Sequence, residues 1–391
     1  MSAAAGSEES FLEEIARIAD EFALPNADSV DREARFPRET VDALREAGAL
    51  GAHIPAELGG LGLPFEVLAR ACFELGRRCG ASAMVFAMHQ IQVVTIVRHT
   101  EPDSWFGEYL RRVAAEQRLI ASVTSEVGTG GDMGASVAAL TPGEDGESTF
   151  EKQAPTVSYG EHADDLLTTL RRSPEAEASD QVLALTHAGQ HQLERTGTWD
   201  PLGMRGTCSP GFVVRARFPS EQVVAAPFST VMPVSMVPVS HILWSHLWLG
   251  IASDAFDRAR AFVRASAKRK PGEPLAIAQR LSHLMGELAP LRAEVDLALR
   301  QFCEESRRDG GSELETMSSV LRYNNLKLVA SEQAPRVCQG ALEVCGIMGF
   351  KNDTPFSVGR HLRDTMSASL MVANERIHKT NANLLLIAKD V

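Results

Sequence analysis

One carboxylate, Glu375, stands near a run of small and apolar residues in the segment RDTMSASLMVANERI, residues 363–377. A positioned carboxylate can act as a general base toward a carbon acid, and such a base contributes about 10²–10⁴-fold to the rate. Arg376 follows Glu375 directly, and Lys379 lies one helical turn further on. The alternative is therefore that Glu375 pairs with one of these cations on an exposed helix face.

A second group of residues could bind an anionic ligand. The segment SVTSEVGTGGDMG, residues 122–134, combines hydroxyl groups, one glutamate and four glycines at the end of a β-type run. Glycines let backbone N–H groups approach a ligand closely, and successive N–H groups in such loops bind anions. Two further polar segments, 152–167 and 196–214, follow it, and the second contains LGMRGT. Each segment taken alone is also compatible with an ordinary turn.

The elements that must position these segments fall into three blocks. Apolar residues recur with helical spacing from Phe11 to Phe22, and helical patterning predicts a helical domain over residues 1–118. Residues 119–236 contain short β-rich runs separated by Gly, Pro, Asp and Glu, which is typical of an antiparallel sandwich or barrel. Residues 237–391 return to helical patterning and are predicted to form a third domain.

Composition limits the classes of function. Lys plus Arg total 39 and Asp plus Glu total 51, so the formal net charge of −12 opposes non-specific nucleic-acid binding. The N-terminal residues lack the features of a signal peptide, and no apolar run of about 18 residues predicts a membrane span. The six cysteines include no CxxC pair, which favours buried thiols in a reducing cytoplasm over a metal site.

In this order, on a helix–strand–helix pattern, the segments resemble the acyl-CoA dehydrogenase superfamily over nearly the whole chain. The most specific motifs are the E-x-G-x-G-x-D loop, LGMRGT and the G-x-x-GF…RHLRD segment. The resemblance implies a mainly α fold with a central β domain: an N-terminal helical domain, a middle antiparallel β-barrel or sandwich, and a C-terminal four-helix bundle. It also implies FAD, an acyl thioester carried on CoA or acyl carrier protein, an electron-transfer partner or oxygen, and a homotetramer or homodimer.

The resemblance assigns flavin contacts to the β domain. Ser125 stands where a flavin-contacting threonine is usual, and Ser158 matches a threonine whose hydroxyl lies near flavin N5. Thr156 replaces a tryptophan that shields the flavin edge. Gly130 and Gly131 belong to the loop that holds the pyrophosphate, and Gly131 replaces a serine there. The flavin edge is therefore expected to be more open than is usual in the family.

The resemblance implies further cofactor contacts made across a subunit interface. Lys268, or one of the two basic residues that follow it, stands for an arginine after the long helix. Glu343 occupies the position of a glutamine, and Gly346 opens a Gly-Ile pair where the family has Gly-Gly. Because a carboxylate repels a pyrophosphate, either the adenine half of FAD binds differently or FAD binds loosely.

The residue at the usual position of the catalytic glutamate is Val372. Ala373 and Asn374 replace the Gly-Thr that normally follows, and Asn374 is an implied cofactor contact. Some family members place the glutamate on the preceding long helix, where this chain has Ser240 followed by His241. Neither position supplies a carboxylate, whereas the backbone N–H of Val372 can still polarise a thioester carbonyl.

Two residues are candidate replacement bases, Glu375 and His241, because an imidazole also suits proton transfer near neutral pH. Asp364 is expected to pair with Arg363 and to be structural. Three functions remain open from the sequence. These are FAD-dependent desaturation of an acyl thioester with a relocated base or an unusual double-bond position, a flavin monooxygenase or oxidase on the same fold, and a non-redox homologue that has lost FAD.

Overall fold

The N-terminal part of the chain is helical, as its apolar spacing predicts. The structure, a computed structural model, describes residues 2–130, 132–269 and 276–388. Ile15 and Ile18 of the predicted stripe are fully buried. The helices are α1 (Ser2–Ile18), α2 (Leu24–Glu33), α3 (Arg38–Glu46), α4 (Phe65–Gly76), α5 (Gly80–His99) and α6 (Trp105–Glu116).

The central part contains two small sheets. Strands β4 and β5 are buried on both faces, whereas β3 alternates buried and exposed residues because only one of its faces meets the core. One sheet has the order β1-β4-β5 and the other β2-β3-β7-β6. The strands are β1 (Ile120–Val123), β2 (Thr141–Pro142), β3 (Glu147–Ala154), β4 (Asp165–Arg171), β5 (Gln181–His187), β6 (His191–Arg195) and β7 (Phe212–Pro219).

Strand pairing in these sheets departs from the antiparallel prediction at one place. β1 pairs with β4 in parallel, with Ile120 opposite Asp165. The other strand pairs are antiparallel. A parallel pair needs a long crossover between its strands, and here that crossover contains the glycine-rich segment, β2 and β3. The glycine-rich segment therefore leaves directly from the end of a buried strand.

The C-terminal part is built on three long helices and a fourth that packs on one of them. Helices α8, α9 and α10 pack mutually, and α13 packs on α10. The helices are α7 (Phe228–Val231), α8 (Val237–Arg269), α9 (Ala276–Arg307), α10 (Met317–Cys345), α11 (Ile347–Phe350), α12 (Gly359–Met366) and α13 (Asn374–Leu385). The mainly α fold with a central β region is therefore confirmed, whereas the domain limits drawn from the sequence remain predictions.

The N- and C-terminal helical parts are joined by a close crossing of α4 and α8. A Cβ at Gly76 would lie 2.5 Å from the carbonyl oxygen of Leu247, and a Cβ at Gly250 would lie 2.4 Å from that of Phe73. Glycine on both helices is therefore required for this approach. Two helical segments, Gly80–His99 and Phe228–Arg269, are long and apolar enough to span a membrane, but 89% and 94% of the apolar 18-residue stretch within each is buried inside the fold.

Candidate active site

A cavity of about 710 Å³ lies where α5, the edge of the β region, the start of α8 and the turn after α12 meet. Its walls are largely apolar, with a row of hydroxyl groups on the side of the β region. Sites of this size and polarity are typical of small-molecule and cofactor binding. Seven of the chain's 12 methionines line it: Met84, Met88, Met133, Met204, Met236, Met366 and Met371.

Two segments that stand far apart in the sequence meet at one end of the cavity. A Cβ at Gly203 would lie 2.0 Å from the carbonyl oxygen of Arg363, so only glycine allows this contact. Next to it, the Met204 N–H donates to Asp364 Oδ1 at 2.7 Å. Burial raises the pKa of Asp364 to about 6. LGMRGT and RHLRD thus form one structural unit, which fixes the chain that leads to Val372.

The expected pair between Arg363 and Asp364 is not formed. Arg363 instead donates to Asp31 Oδ1 at 2.8 Å and to the Leu202 carbonyl at 2.9 Å. Asp364 is buried and is satisfied by a backbone N–H, because the helix turns its side chain toward the Met204 segment. The structural role expected for Asp364 therefore holds, but its partner differs from the expectation.

The three hydroxyl residues assigned to the flavin all line the cavity. Ser125 Oγ donates to the Thr156 carbonyl at 2.5 Å, which joins the glycine-rich segment to the segment after β3. Ser209 Oγ donates to Ser158 Oγ at 2.9 Å, and Ser209 is in turn bonded to the hydroxyl of Thr207. The structure therefore brings Ser125, Thr156 and Ser158 together on one wall.

This wall fits a flavin. The backbone N–H groups of Ser125 and Ser158 have no acceptor among the described residues, so they can donate to ring oxygen and nitrogen atoms. Thr156 is exposed at the wall's edge, which agrees with an open position in place of a tryptophan. Trp199, to which the sequence reasoning assigned no role, also lines the cavity, and its indole N–H donates to the Arg205 carbonyl at 3.1 Å.

The turn that carries Val372 is strained and lines the cavity. Val372 has φ of 50°, a left-handed conformation that is a genuine outlier for a β-branched residue. Its backbone N–H donates to no acceptor in the described part of the chain. Strained residues of this kind cluster at functional sites. The group predicted to polarise a carbonyl is therefore on the cavity wall and available for a hydrogen bond.

Neither candidate base lies on the cavity wall. Glu375 is exposed at the start of α13, and no described residue forms an ion pair with it, which also leaves the pairing with Arg376 or Lys379 unformed. His241 is buried one residue past Ser240, which does line the cavity. In these positions neither side chain can take a proton from a ligand in the cavity.

His241 is also unsuited to proton transfer by its surroundings. With Nδ1 protonated, its ring donates to the Tyr323 carbonyl at 3.0 Å. Burial, together with the nearby Lys327 ammonium, lowers its pKa to about 3. The imidazole is therefore neutral and fixed by a structural hydrogen bond at neutral pH.

The cavity wall formed by the described residues contains no aspartate and no glutamate. Arg363 is the charged side chain on it, and its guanidinium is held by Asp31. No group of three or more His, Cys, Asp or Glu residues among those described could hold a metal ion. Proton transfer inside this cavity therefore cannot use a carboxylate in the observed arrangement.

The remaining predicted cofactor residues lie away from the cavity wall. Asn374 is half-buried and accepts a hydrogen bond from Lys327 Nζ. Lys268, Glu343 and Gly346 are exposed, as contacts made across a subunit interface would be, and their roles stay predictions. Gly130 is exposed beside the cavity, and Gly131 lies outside the described residues.

Known proteins share this architecture. The family description "Acyl-CoA dehydrogenase, N-terminal domain" matches residues 6–117, and "Acyl-CoA dehydrogenase, C-terminal domain" matches residues 238–380. The chain is 25% identical to acryloyl-CoA reductase (NADH) of Anaerotignum propionicum, over 98% of this chain and 94% of that protein.

Two solved structures show the same fold. FMN-bound TdsC of Paenibacillus sp. A11-2 superposes with a TM-score of 0.84 and 20% identity, covering 96% of this chain and 97% of that one. Butyryl-CoA dehydrogenase of Megasphaera elsdenii superposes with a TM-score of 0.81 and 19% identity, covering 97% and 98%.

Proposed function

The chain belongs to the acyl-CoA dehydrogenase family of flavin-dependent oxidoreductases, and on this premise we propose that it oxidises or reduces an acyl thioester without a carboxylate base in its cavity. The thioester is carried on CoA or on acyl carrier protein. The observation that carries the proposal is the free backbone N–H of Val372 on the cavity wall.

The Val372 N–H would act on the carbonyl of the substrate. A donor held at a fixed position stabilises the negative charge that develops on the oxygen when the neighbouring C–H is deprotonated. In the strained turn this donor forms no hydrogen bond with the described residues, so it needs no rearrangement to receive a carbonyl. This group lowers the pKa of the C–H that must be broken.

The hydroxyl wall would hold the cofactor opposite that carbonyl. A bound flavin supplies the two-electron acceptor or donor for the reaction. The free N–H groups of Ser125 and Ser158 would fix its orientation, and the Ser209 hydroxyl keeps Ser158 Oγ in place. The largely apolar walls lower the local dielectric constant around these hydrogen bonds, which strengthens each of them.

The missing carboxylate determines which thioesters suit the cavity. With no carboxylate base on the described wall, the proton has to leave to water. The rate of this step is then lower by a factor of about 10²–10⁴ for an ordinary saturated thioester. We therefore propose that the substrate has a more acidic α-C–H and carries a hydrogen on its β-carbon for transfer to the flavin, as in a 2-arylpropionyl thioester, or that the double bond forms away from the α,β position.

A second candidate function is flavin-dependent monooxygenation, in which reduced flavin reacts with oxygen. Two observations favour it: the described residues of the cavity wall include no carboxylate, and Thr156 is exposed where the resemblance implies a shielding tryptophan. Such a reaction needs access for oxygen but no base acting on a C–H. Val372 would then bind an oxygen atom of the substrate rather than a thioester carbonyl in particular.

One pair of experiments separates the two functions. In the first, the flavin-loaded protein is mixed without oxygen with butyryl-CoA and 2-phenylpropionyl-CoA and with the matching carrier-protein thioesters. Loss of the visible flavin absorption, fastest with the most acidic substrate, is expected. In the second, the flavin is reduced chemically and mixed with oxygen, and substrate-dependent hydroxylation is measured. Hydroxylation together with no bleaching by any thioester would replace the first function with the second.

A further inference from the structure

A second wall of the cavity is formed by α5 and the start of α8. Two contacts fix how these helices lie: His99 Nε2 and Ser235 Oγ are hydrogen-bonded at 2.8 Å, and a Cβ at Gly80 would lie 2.9 Å from Ile251 Cδ1. The two helices therefore run in opposite directions. With a rise of about 1.5 Å per residue, Gln92 of α5 lies level with the second turn of α8.

Two polar side chains on this wall are buried without a complete set of hydrogen-bond partners. Gln92 is 2% exposed, its Nε2 donates to the Met88 carbonyl at 3.2 Å, and its Oε1 accepts from no described residue. Trp244, on the second turn of α8, is 8% exposed, and its indole N–H donates to no described residue. Both side chains line the cavity, whereas the other buried side chains with an unpaired polar atom in the described chain lie off its wall.

The rest of this wall offers neither atom a good partner. The Ser240 hydroxyl donates to the Val237 carbonyl at 2.9 Å, within its own helix. Met88 and Met236 also line the cavity here, and a thioether sulfur is only a weak acceptor. An unpaired buried polar atom is unfavourable, and such atoms in folded proteins ordinarily have a partner. A group of the bound ligand can be the partner of both atoms.

We propose that Gln92 and Trp244 form a subsite for a phenolic hydroxyl carried by the acyl group of the substrate. One hydroxyl supplies what both atoms lack, because its O–H can donate to Gln92 Oε1 while its oxygen accepts from the Trp244 indole N–H. The thioethers of Met88 and Met236 suit the aromatic ring, since sulfur makes favourable contacts with ring edges. The inference rests on the proposed function, which assigns the flavin and the thioester carbonyl to other walls and leaves this wall to the acyl group.

Small phenols test the subsite without a thioester and without turnover. The flavin-loaded, full-length protein is titrated in a calorimeter with 3-ethylphenol, 4-ethylphenol and ethylbenzene. The ratio between the dissociation constants of ethylbenzene and of the better phenol reports the contribution of the hydroxyl. In parallel, the protein is mixed without oxygen with 2-phenylpropionyl-CoA and with its 3-hydroxyphenyl and 4-hydroxyphenyl analogues, and bleaching of the flavin is followed.

The variants are Gln92→Met and Trp244→Phe, which each remove one polar atom and keep an apolar side chain of similar shape. The control is Gln90→Met, because Gln90 lies on the same helix and also has a buried, unpaired Oε1 but is off the cavity wall. In the wild type the better phenol should bind about tenfold more tightly than ethylbenzene, since two hydrogen bonds form. Each of the two variants should reduce this ratio about threefold or more without weakening ethylbenzene, and Gln90→Met should retain it.

The comparison of variants decides the outcome. A ratio that falls in Gln92→Met or Trp244→Phe and not in Gln90→Met supports the subsite, and because the two residues lie on different helices, one folded variant is enough. Equal affinities for ethylbenzene and both phenols in the wild type would overturn it, and so would a ratio that neither variant changes. If the phenols give the expected pattern but no thioester bleaches the flavin, the subsite stands and the proposed reaction of an acyl thioester fails.

Discussion

Lys327 and Asn374 are joined by a hydrogen bond of 2.6 Å between Nζ and Oδ1, directly behind the turn that carries Val372. Lys327 is fully buried on α10, and no described carboxylate forms an ion pair with it. Burial lowers the pKa of its ammonium to about 8. Asn374 is held on its other side by the Ser331 hydroxyl. This small network fixes the first residue of α13.

The two partners of this bond are expected to respond differently to replacement. Lys327→Met removes a buried charge and keeps the side-chain volume, so we expect the free energy of unfolding to change by less than about 1 kcal/mol. Asn374→Ala leaves the ammonium without its acceptor and should cost about 1–3 kcal/mol. Denaturant unfolding at pH 7 measures both. A larger loss for Lys327→Met than for Asn374→Ala would show that the charge itself stabilises the fold.

Restoring a carboxylate at position 372 should accelerate desaturation of an ordinary thioester. Val372→Glu places a base on the cavity wall, and we expect anaerobic flavin reduction by butyryl-CoA to become about 10²-fold faster or more. Val372→Gln, which has the same size and no charge, is the control and should remain slow. Equal rates for the Glu and Gln variants would mean that the thioester is not held at the Val372 N–H.

Removing the carboxylate of Glu375 should have little effect. Because Glu375 is exposed and off the cavity wall, flavin reduction in Glu375→Gln should remain within about twofold of wild type, far below the loss expected for a general base. Rapid mixing of the anaerobic protein with its best thioester measures the rate. A drop of a hundredfold would instead establish Glu375 as the base and require the start of α13 to move in the complex.

Closing the wall at Thr156 should slow the reaction of reduced flavin with oxygen. In Thr156→Trp an indole covers an edge that is exposed in this structure, so we expect a lower second-order rate constant for reoxidation. Thr156→Val removes the hydroxyl without covering the edge and should behave as wild type. If both variants reoxidise at the wild-type rate, oxygen reaches the flavin by another route.

Stability should fall on acidification, in part through His241. Its pKa is about 3 in the fold, against about 6.5 for an unperturbed histidine. The folded state therefore binds fewer protons between these values, and the stabilisation is complete above pH 6.5 and is lost as the pH falls through that window. Between pH 6.5 and pH 5 the contribution of His241 to the free energy of unfolding falls by about 2 kcal/mol.

The variant His241→Gln isolates this contribution. An amide can still donate to the Tyr323 carbonyl, and the other buried histidines continue to titrate, so the difference between variant and wild type belongs to position 241. Unfolding free energies at pH 7 and pH 5 should differ by about 2 kcal/mol less in the variant. His378→Gln, at an exposed histidine of α13, should have the wild-type slope. A variant slope equal to that of wild type would show that His241 already accepts a proton in the fold.

Much of the fold follows from local patterns. Helical apolar spacing and short β-rich runs have different periods, so the order of helices, strands and helices could be predicted without knowing how they pack. The parallel pairing of β1 with β4 could not, because strand direction depends on the crossover and not on the strands themselves. The position of Ser125 and Ser158 at the cavity could be predicted because both residues belong to motifs that can be recognised in the sequence.

Other parts of the site depend on tertiary contacts that no local pattern contains. The position of Trp199 on the cavity wall and the approach of Arg376 to Gly130 join segments that are separated along the chain. Arg363 donates to Asp31 instead of Asp364, and Asp31 belongs to the N-terminal helix α2. The direction in which Glu375 points is set by the packing of α13, so its sequence neighbours alone could not decide between base and surface charge.

Seven methionine thioethers line the cavity, and they make the wall sensitive to oxidation. Methionine side chains adapt to ligands of different shape, but they are also converted to sulfoxides by peroxide. A reduced oxygen species that leaves a flavin in this cavity would pass close to methionine sulfur atoms of the wall. The pattern of oxidised methionines, read by mass spectrometry after turnover in air, would therefore report the path that oxygen takes through the molecule.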